Sequence, residues 1–134
     1  MEIRIPETSL VVLIGPSAAG KSTFCRKHFV STEVLSSDDF RALVSNDRHD
    51  QTASSDAFAL LYATLEKRLQ RRLLTVVDAT HLQESDRQIL LQYAKQYQTP
   101  IVAILFDLPE KVYFARNQAR GREAVPNRVI KRQL

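Results

Sequence analysis

The chain has a single cysteine, Cys25, in 134 residues, so no intrachain disulfide can form. Cys25 sits in an expected helix and reads as a small core residue. The three histidines, His28, His49 and His81, do not form a metal-ligand spacing. No apolar run is long enough to span a bilayer. The start, Met1-Glu2-Ile3-Arg4-Ile5-Pro6, is too short and mixed for a signal peptide. The expectation is a cytoplasmic protein with no membrane partner. Repeats, linkers and low-complexity segments are also missing. The Tyr and Phe residues fall on expected strands or helix faces, and read as core rather than as base-stacking platforms.

What remains is an ordinary globular composition, 44% apolar and 25% charged, with length for one domain over residues 1–134. The net charge of +4 is unevenly spread. Residues 111–134 carry Lys111, Arg116, Arg120, Arg122, Arg128, Lys131 and Arg132 against Glu123 alone, while the rest is slightly acidic. Such asymmetry suits an anionic partner, nucleotide phosphates or a nucleic acid. A solvated helix face is the alternative.

The strongest signal is Gly15-Pro16-Ser17-Ala18-Ala19-Gly20-Lys21-Ser22. Two glycines five apart, followed by Lys and a hydroxyl, fit a phosphate-binding loop. Leu10-Val11-Val12-Leu13-Ile14 before it reads as a buried strand, and residues 22–29 after it as a helix. Small residues let backbone N–H groups close around an anion, and the helix turns its positive end toward it. Lys21 is then expected on the β- and γ-phosphates of ATP or another NTP, and the Ser22 hydroxyl on Mg²⁺.

Apolar segments then alternate in period. Residues 32–35, 73–77 and 101–106 read as strands. Helices are expected around Phe40–Val44, over Phe58–Leu69, and from about Glu84 to Tyr97. A fifth helix is expected from Pro109 to about Arg120, broken by Gly121, and a last one opened by Pro126. Strand–helix alternation predicts an α/β fold with a four-stranded parallel sheet.

Ligands of such sheets lie beyond the carboxyl ends of the strands. Asp78 follows an apolar strand, as a Mg²⁺-side carboxylate does; an N-cap is the alternative. Asp107 reads as a helix cap. Asp38 stands where a carboxylate would accept a proton from a hydroxyl opposite the phosphate loop, with Arg41 three residues on to fix an anionic acceptor. Asp38 or Asp39 capping a short helix is the alternative. Arg116 and Arg120, spaced i and i+4, would put a cation over the triphosphate from a mobile helical lid over about 111–134; surface charge is the alternative.

With these residues the chain resembles the kinase domain of polynucleotide 5′-kinases, especially the N-terminal kinase module of bacterial polynucleotide kinase–phosphatase end-healing enzymes. The likeness rests on Gly15 to Thr23, Ser37-Asp38-Asp39-Phe40-Arg41, Val76-Val77-Asp78-Ala79-Thr80, and Arg116-Asn117-Gln118-Ala119-Arg120-Gly121. The resemblance implies an adenylate-kinase-like P-loop NTPase fold with a C-terminal helical lid. It implies transfer of the γ-phosphoryl of ATP to the 5′-OH ends of RNA or DNA, with Mg²⁺. Asp38 would be the general base, and Arg41 would grip the phosphate on the 3′ side of the acceptor. Gln51 would line the acceptor pocket, and Lys21 and Arg116 would steady the transferring phosphoryl. Gly15, Ser17, Gly20, Ser22, Thr23 and Arg120 would complete the nucleotide site. Family members often carry Asn where this chain has His81. The comparison also leads one to expect phosphatase and ligase modules after Leu134. A sugar or metabolite kinase of the same fold is the other reading.

Overall fold

The structure is a computed structural model that describes residues 2–16, 20–79, 82–106, 112–117 and 127–131. Strand β1 (Glu2–Pro6) leads through a tight turn to β2 (Leu10–Ile14). Helix α1 (Lys21–His28) follows, then a 3₁₀ turn at Ser31–Glu33 and the short strand β3 (Val34–Ser36). Helix α2 (Ser37–Ser45) starts directly from β3; a second 3₁₀ turn, Gln51–Ala53, precedes α3 (Ser54–Gln70). Then come β4 (Thr75–Asp78), α4 (Glu84–Gln96), β5 (Ile101–Phe106), β6 (Val112–Asn117) and β7 (Asn127–Lys131).

The main sheet has the order β3-β4-β2-β5-β6. Its first four strands are mutually parallel, as strand–helix alternation requires. Period-two alternation splits each strand between two cores. Val11, Leu13, Val76, Val102 and Ile104 join Phe24, Cys25 and Phe29 of the α1 layer. Leu10, Val12, Leu35 and Val77 join Leu61, Leu65 and Leu69 of α3 and Leu90 and Ala94 of α4. The sheet is therefore covered on both faces, which is why its strands read as unbroken apolar runs. Leu61, Leu65 and Leu69 recur every four residues and are at most 1% exposed. Burying each such side chain stabilises by roughly 1.5–3 kcal/mol.

Two expectations need correction, and one strand was not read from the sequence. The chain start is a strand: β1 pairs antiparallel with β7, and Ile5 is fully buried in the α1-side core. Residues 112–117, expected inside a helical lid, form β6, antiparallel on β5 with Val112 opposite Phe106 and Arg116 opposite Val102. Residues 127–131, expected as a second lid helix, form β7 instead. The spacing of Arg116 and Arg120 suggested a helix. Val112-Tyr113-Phe114 and Val129-Ile130 are β-branched or aromatic, and sheet edges were there to receive them. The four-stranded parallel sheet and its flanking helices stand as expected.

Candidate phosphate-binding and acceptor site

The phosphate loop starts where β2 ends. Gly15 has φ of +150°, and a Cβ there would meet the Phe106 carbonyl oxygen at 2.5 Å, so only glycine fits. Gly20, at φ +88°, is the N-cap of α1, and among the described residues no side chain caps the N–H groups of its first turn. The first turn of α1 holds no acidic residue. Unclaimed donors and an uncompensated positive helix end are what an anion needs. Ser17 lies outside the described residues.

Lys21 is only 1% exposed and folds back so that its Nζ donates to the Gly15 carbonyl at 2.5 Å. Burial lowers its pKa, while the charges of Asp78 and Asp38 act the other way. Asp78 ends β4 and is 9% exposed; burial raises its pKa, with Lys21 and a hydrogen bond from Ser22 opposing. Ser22 Oγ donates to Asp78 Oδ2 at 3.4 Å, a long and weak bond. A hydroxyl beside a buried carboxylate fits a small hard cation. Mg²⁺ is typically held by one or two protein oxygens, with phosphate and water completing the octahedron. The described residues contain no group of three or more His, Cys, Asp or Glu placed to hold a metal ion.

Strand β3 lies next to β4 with Ser36 opposite Asp78, so α2 begins level with the phosphate loop. Ser36 Oγ caps α2 by accepting from the Asp39 N–H at 3.4 Å. Neither aspartate is the cap, and both are left to interact through their carboxylates. Arg41 Nη1 donates to Asp38 Oδ1 at 2.6 Å, and Arg41 Nε donates to Ser54 Oγ at 3.0 Å. Arg41 is 5% exposed. It is thus clamped between the start of α2 and the start of α3. The Asp38 side chain is 31% exposed, half-open toward the site. Its charge reaches both Lys21 and Asp78. Asp39 pairs with Arg48 instead, in an ion pair open to water, and its charge too reaches Asp78.

A cleft of about 610 Å³ opens beside this group, and Ser22, Asp78, Asp39, Arg48 and Arg26 are among the residues that line it. Cys25 also lines it, but burial pushes its thiol up to about 12, so it stays protonated and inert.

The structure therefore brings Lys21, Ser22, Asp38, Arg41 and Asp78 to one end of the sheet. Gly15 and Gly20 shape the loop, and Thr23 is exposed one turn behind, accepting from Arg26 at 3.3 Å. Gln51 is exposed in the turn before Ser54, and its amide donates to the His49 carbonyl at 3.4 Å. That bond does not tie it to Asp38 or Arg41. Arg116 is not brought to the loop by its backbone. It lies opposite Val102, level with Val11, four residues down the sheet from Gly15. Its side chain, Arg120 and His81 lie outside the described residues. Sequence reasoning missed Ser54, Ser36 and Arg48. Ser54 sits thirteen residues from its partner, and no local pattern announces such a contact.

A family model described as an AAA domain matches residues 10–134. The chain belongs to that family. No curated protein sequence matches it. Among solved structures, this AAA domain is similar to one titled "Structure of Pnkp1/Rnl/Hen1 complex". The TM-score is 0.63 at 23% identity, over 97% of this chain and 47% of that one. It is also similar to "Structure of the Pnkp1/Rnl/Hen1 RNA repair complex", with TM-score 0.62 and 27% identity, over 75% of this chain and 33% of that one. The AAA domain chain thus spans half or less of the length of these neighbours. Among the described residues, no helix is long and apolar enough to cross a membrane.

Proposed function

We propose that the chain is an ATP-dependent polynucleotide 5′-hydroxyl kinase, acting on RNA or DNA ends in nucleic-acid repair. The observation that carries this reading is the Asp38–Arg41–Ser54 clamp standing across from the Lys21 cradle. A half-exposed carboxylate with its orientation fixed by a buried arginine is what a general base for a hydroxyl requires. Similarity to solved structures of an RNA repair complex supports the same reading.

In this mechanism the 5′-hydroxyl docks against Asp38. The carboxylate takes the hydroxyl proton as the oxygen attacks the γ-phosphorus, and the bond from that phosphorus to the bridging β-γ oxygen breaks, releasing ADP. Lys21 leaves the Gly15 carbonyl for the phosphates, and the N–H groups at the start of α1 hold their oxygens. Arg41 faces the phosphate on the 3′ side of the acceptor nucleoside while keeping Asp38 in place. Gln51 lines the acceptor pocket, and Ser17, Thr23 and Arg120 belong to the nucleotide site. Mg²⁺, held through Ser22 and Asp78, would neutralise charge on the triphosphate. Arg116 supplies a further cation to the transferring phosphoryl. Phosphatase and ligase modules in the same longer chain, and a cytoplasmic location, belong to this reading.

A sugar or metabolite kinase is the second reading, favoured by how deeply Arg41 is buried, which suits one compact anion. The deciding experiment is transfer of label from γ-labelled ATP to a 5′-OH oligonucleotide with Mg²⁺. Label on the oligonucleotide end supports the proposal. Labelling of a small metabolite alone moves the assignment to the second reading.

A further inference from the structure

We propose that the cleft between α1 and the beginning of α2 carries a second phosphate subsite, built by Arg26 and Arg48, that holds the backbone of the acceptor strand. This rests on the kinase reading above and names its substrate as a chain with more than one phosphate.

The cleft, about 610 Å³, is of ligand size. One wall is a single face of α1, with Ser22, Cys25 and Arg26 at steps of three and four, and Phe29 follows at its C-cap. Ser36 and Asp39, at the start of α2, and Arg48 line it as well. The inner end, Ser22 and Asp78, is the phosphoryl-transfer end. Arg26 stands one turn further out, roughly 6 Å along the helix axis. A ligand in this groove therefore extends away from the γ-phosphate with cations along its rim.

The arginines of the site are of two kinds. Arg41 is buried and committed to Asp38 and Ser54. Arg26 is exposed, and its bond among the described residues is a long one, 3.3 Å, to the Thr23 hydroxyl. Arg48 pairs with Asp39, but their side chains are 51% and 59% exposed. An ion pair so open to water holds weakly. A phosphate offers a guanidinium two parallel hydrogen bonds and more charge, so it displaces Asp39 from Arg48. Asp39 and Asp78 also line the cleft and repel an anion, which favours a phosphate held by Arg26 and Arg48 over one beside Asp78. Arg41 alone suffices for an acceptor with one phosphate. The rim pair is of use only to a longer chain.

The test is equilibrium binding of fluorescent 5′-OH RNA and DNA 12-mers to the full chain across a salt series. Each phosphate contact contributes roughly one unit to the slope of log affinity against log salt. Arg26→Ala and Arg48→Ala are each expected to reduce the slope by about one, and the double variant by about two. Arg87→Ala, which removes an exposed arginine on α4 paired with Glu84, should leave the slope unchanged. Binding of a nucleoside 3′-monophosphate should not respond to either rim substitution. Asp39→Asn should tighten oligonucleotide binding, because Arg48 then has only an uncharged competitor. The proposal is overturned by an unchanged slope in the double variant, by an equal drop in Arg87→Ala, by weaker or unchanged binding in Asp39→Asn, or by no oligonucleotide binding at all. Absence of label transfer alongside the expected slopes would sink the kinase reading and leave the subsite standing.

Discussion

Replacing Asp38 by Asn separates its proposed chemical role from its structural one. The amide keeps the shape of the carboxylate, and its oxygen can still accept from Arg41 Nη1, now 2.6 Å from Asp38 Oδ1. It cannot take a proton. A general base contributes 10²–10⁴-fold, or about 2.7–5.4 kcal/mol of transition-state stabilisation. The stability cost is smaller. Breaking a fully buried ion pair costs roughly 3–5 kcal/mol. Asp38, however, is 31% exposed on its side chain, and one hydrogen bond to Arg41 remains in the variant. A loss of about 1 kcal/mol, a few degrees in Tm, is the result. The assay is single-turnover transfer from γ-labelled ATP to a 5′-OH oligonucleotide, with ATP affinity and thermal unfolding measured on the same sample. The expected outcome is a fall in transfer of at least 10²-fold with ATP affinity within about twofold of wild type. Normal transfer by a well-folded Asp38→Asn would remove the base assignment. A fall accompanied by equal loss of ATP binding would show that Asp38 supports the cradle rather than the acceptor.

Ser54→Ala should act through Arg41: KM for the oligonucleotide rises about threefold to tenfold, KM for ATP holds, and Ser54→Thr restores the wild-type value; a change in both KM values would make Ser54 merely structural. Asp78→Asn should raise stability against denaturant at pH 7 while weakening Mg²⁺-dependent ATP binding. Burial raises the pKa of Asp78 in the fold, so its ionised form opposes folding at neutral pH, and this penalty fades as pH falls through the raised folded value toward the ordinary one near 3.8. The stability gap between the two proteins should therefore close in acid, and a gap that widens in acid would contradict the burial argument. Arg116→Ala should reduce transfer by about 10³-fold, the contribution expected of a cation over the triphosphate; unchanged turnover would leave Arg116 as a residue of β6 alone.

The parts legible in the sequence are those whose signal is local. The phosphate loop is an eight-residue pattern, and Gly15 and Gly20 are glycines because of one close approach and one left-handed backbone. The apolar runs at 10–14 and 101–106 coincide with β2 and β5 residue for residue. The three-residue step from Asp38 to Arg41 is on one helix, and the ion pair forms across it. The rest depends on distance. Ser54 meets Arg41 only because α3 packs on α2. β1 has no period of its own and becomes a strand because β7 pairs with it. The segment from Val112 to Asn117 carried two signals, helical arginine spacing and β-forming side chains. The open edge of β5 decided between them.

One row of the sheet explains why residues so far apart in sequence converge. Ser36, Asp78 and Leu13 stand side by side across β3, β4 and β2. The strands are parallel, so each chain leaves the sheet at the same end within a residue or two of this row. β2 leaves into the phosphate loop, and β3 leaves into α2 with Asp38 in its first turn; β4 ends on Asp78 itself. The row holds its level because Val76 and Val77 are buried on opposite faces, against α1 on one side and α3 on the other. A one-residue slip of β4 would turn each of them toward the wrong core, and would move Asp78 off the face that Ser22 reaches. Packing that fills the two cores therefore also sets the level of the carboxylate, the hydroxyl and the base. A change such as Val77→Ala, far from any phosphate, should impair Mg²⁺-dependent ATP binding only to the extent that it loosens that register.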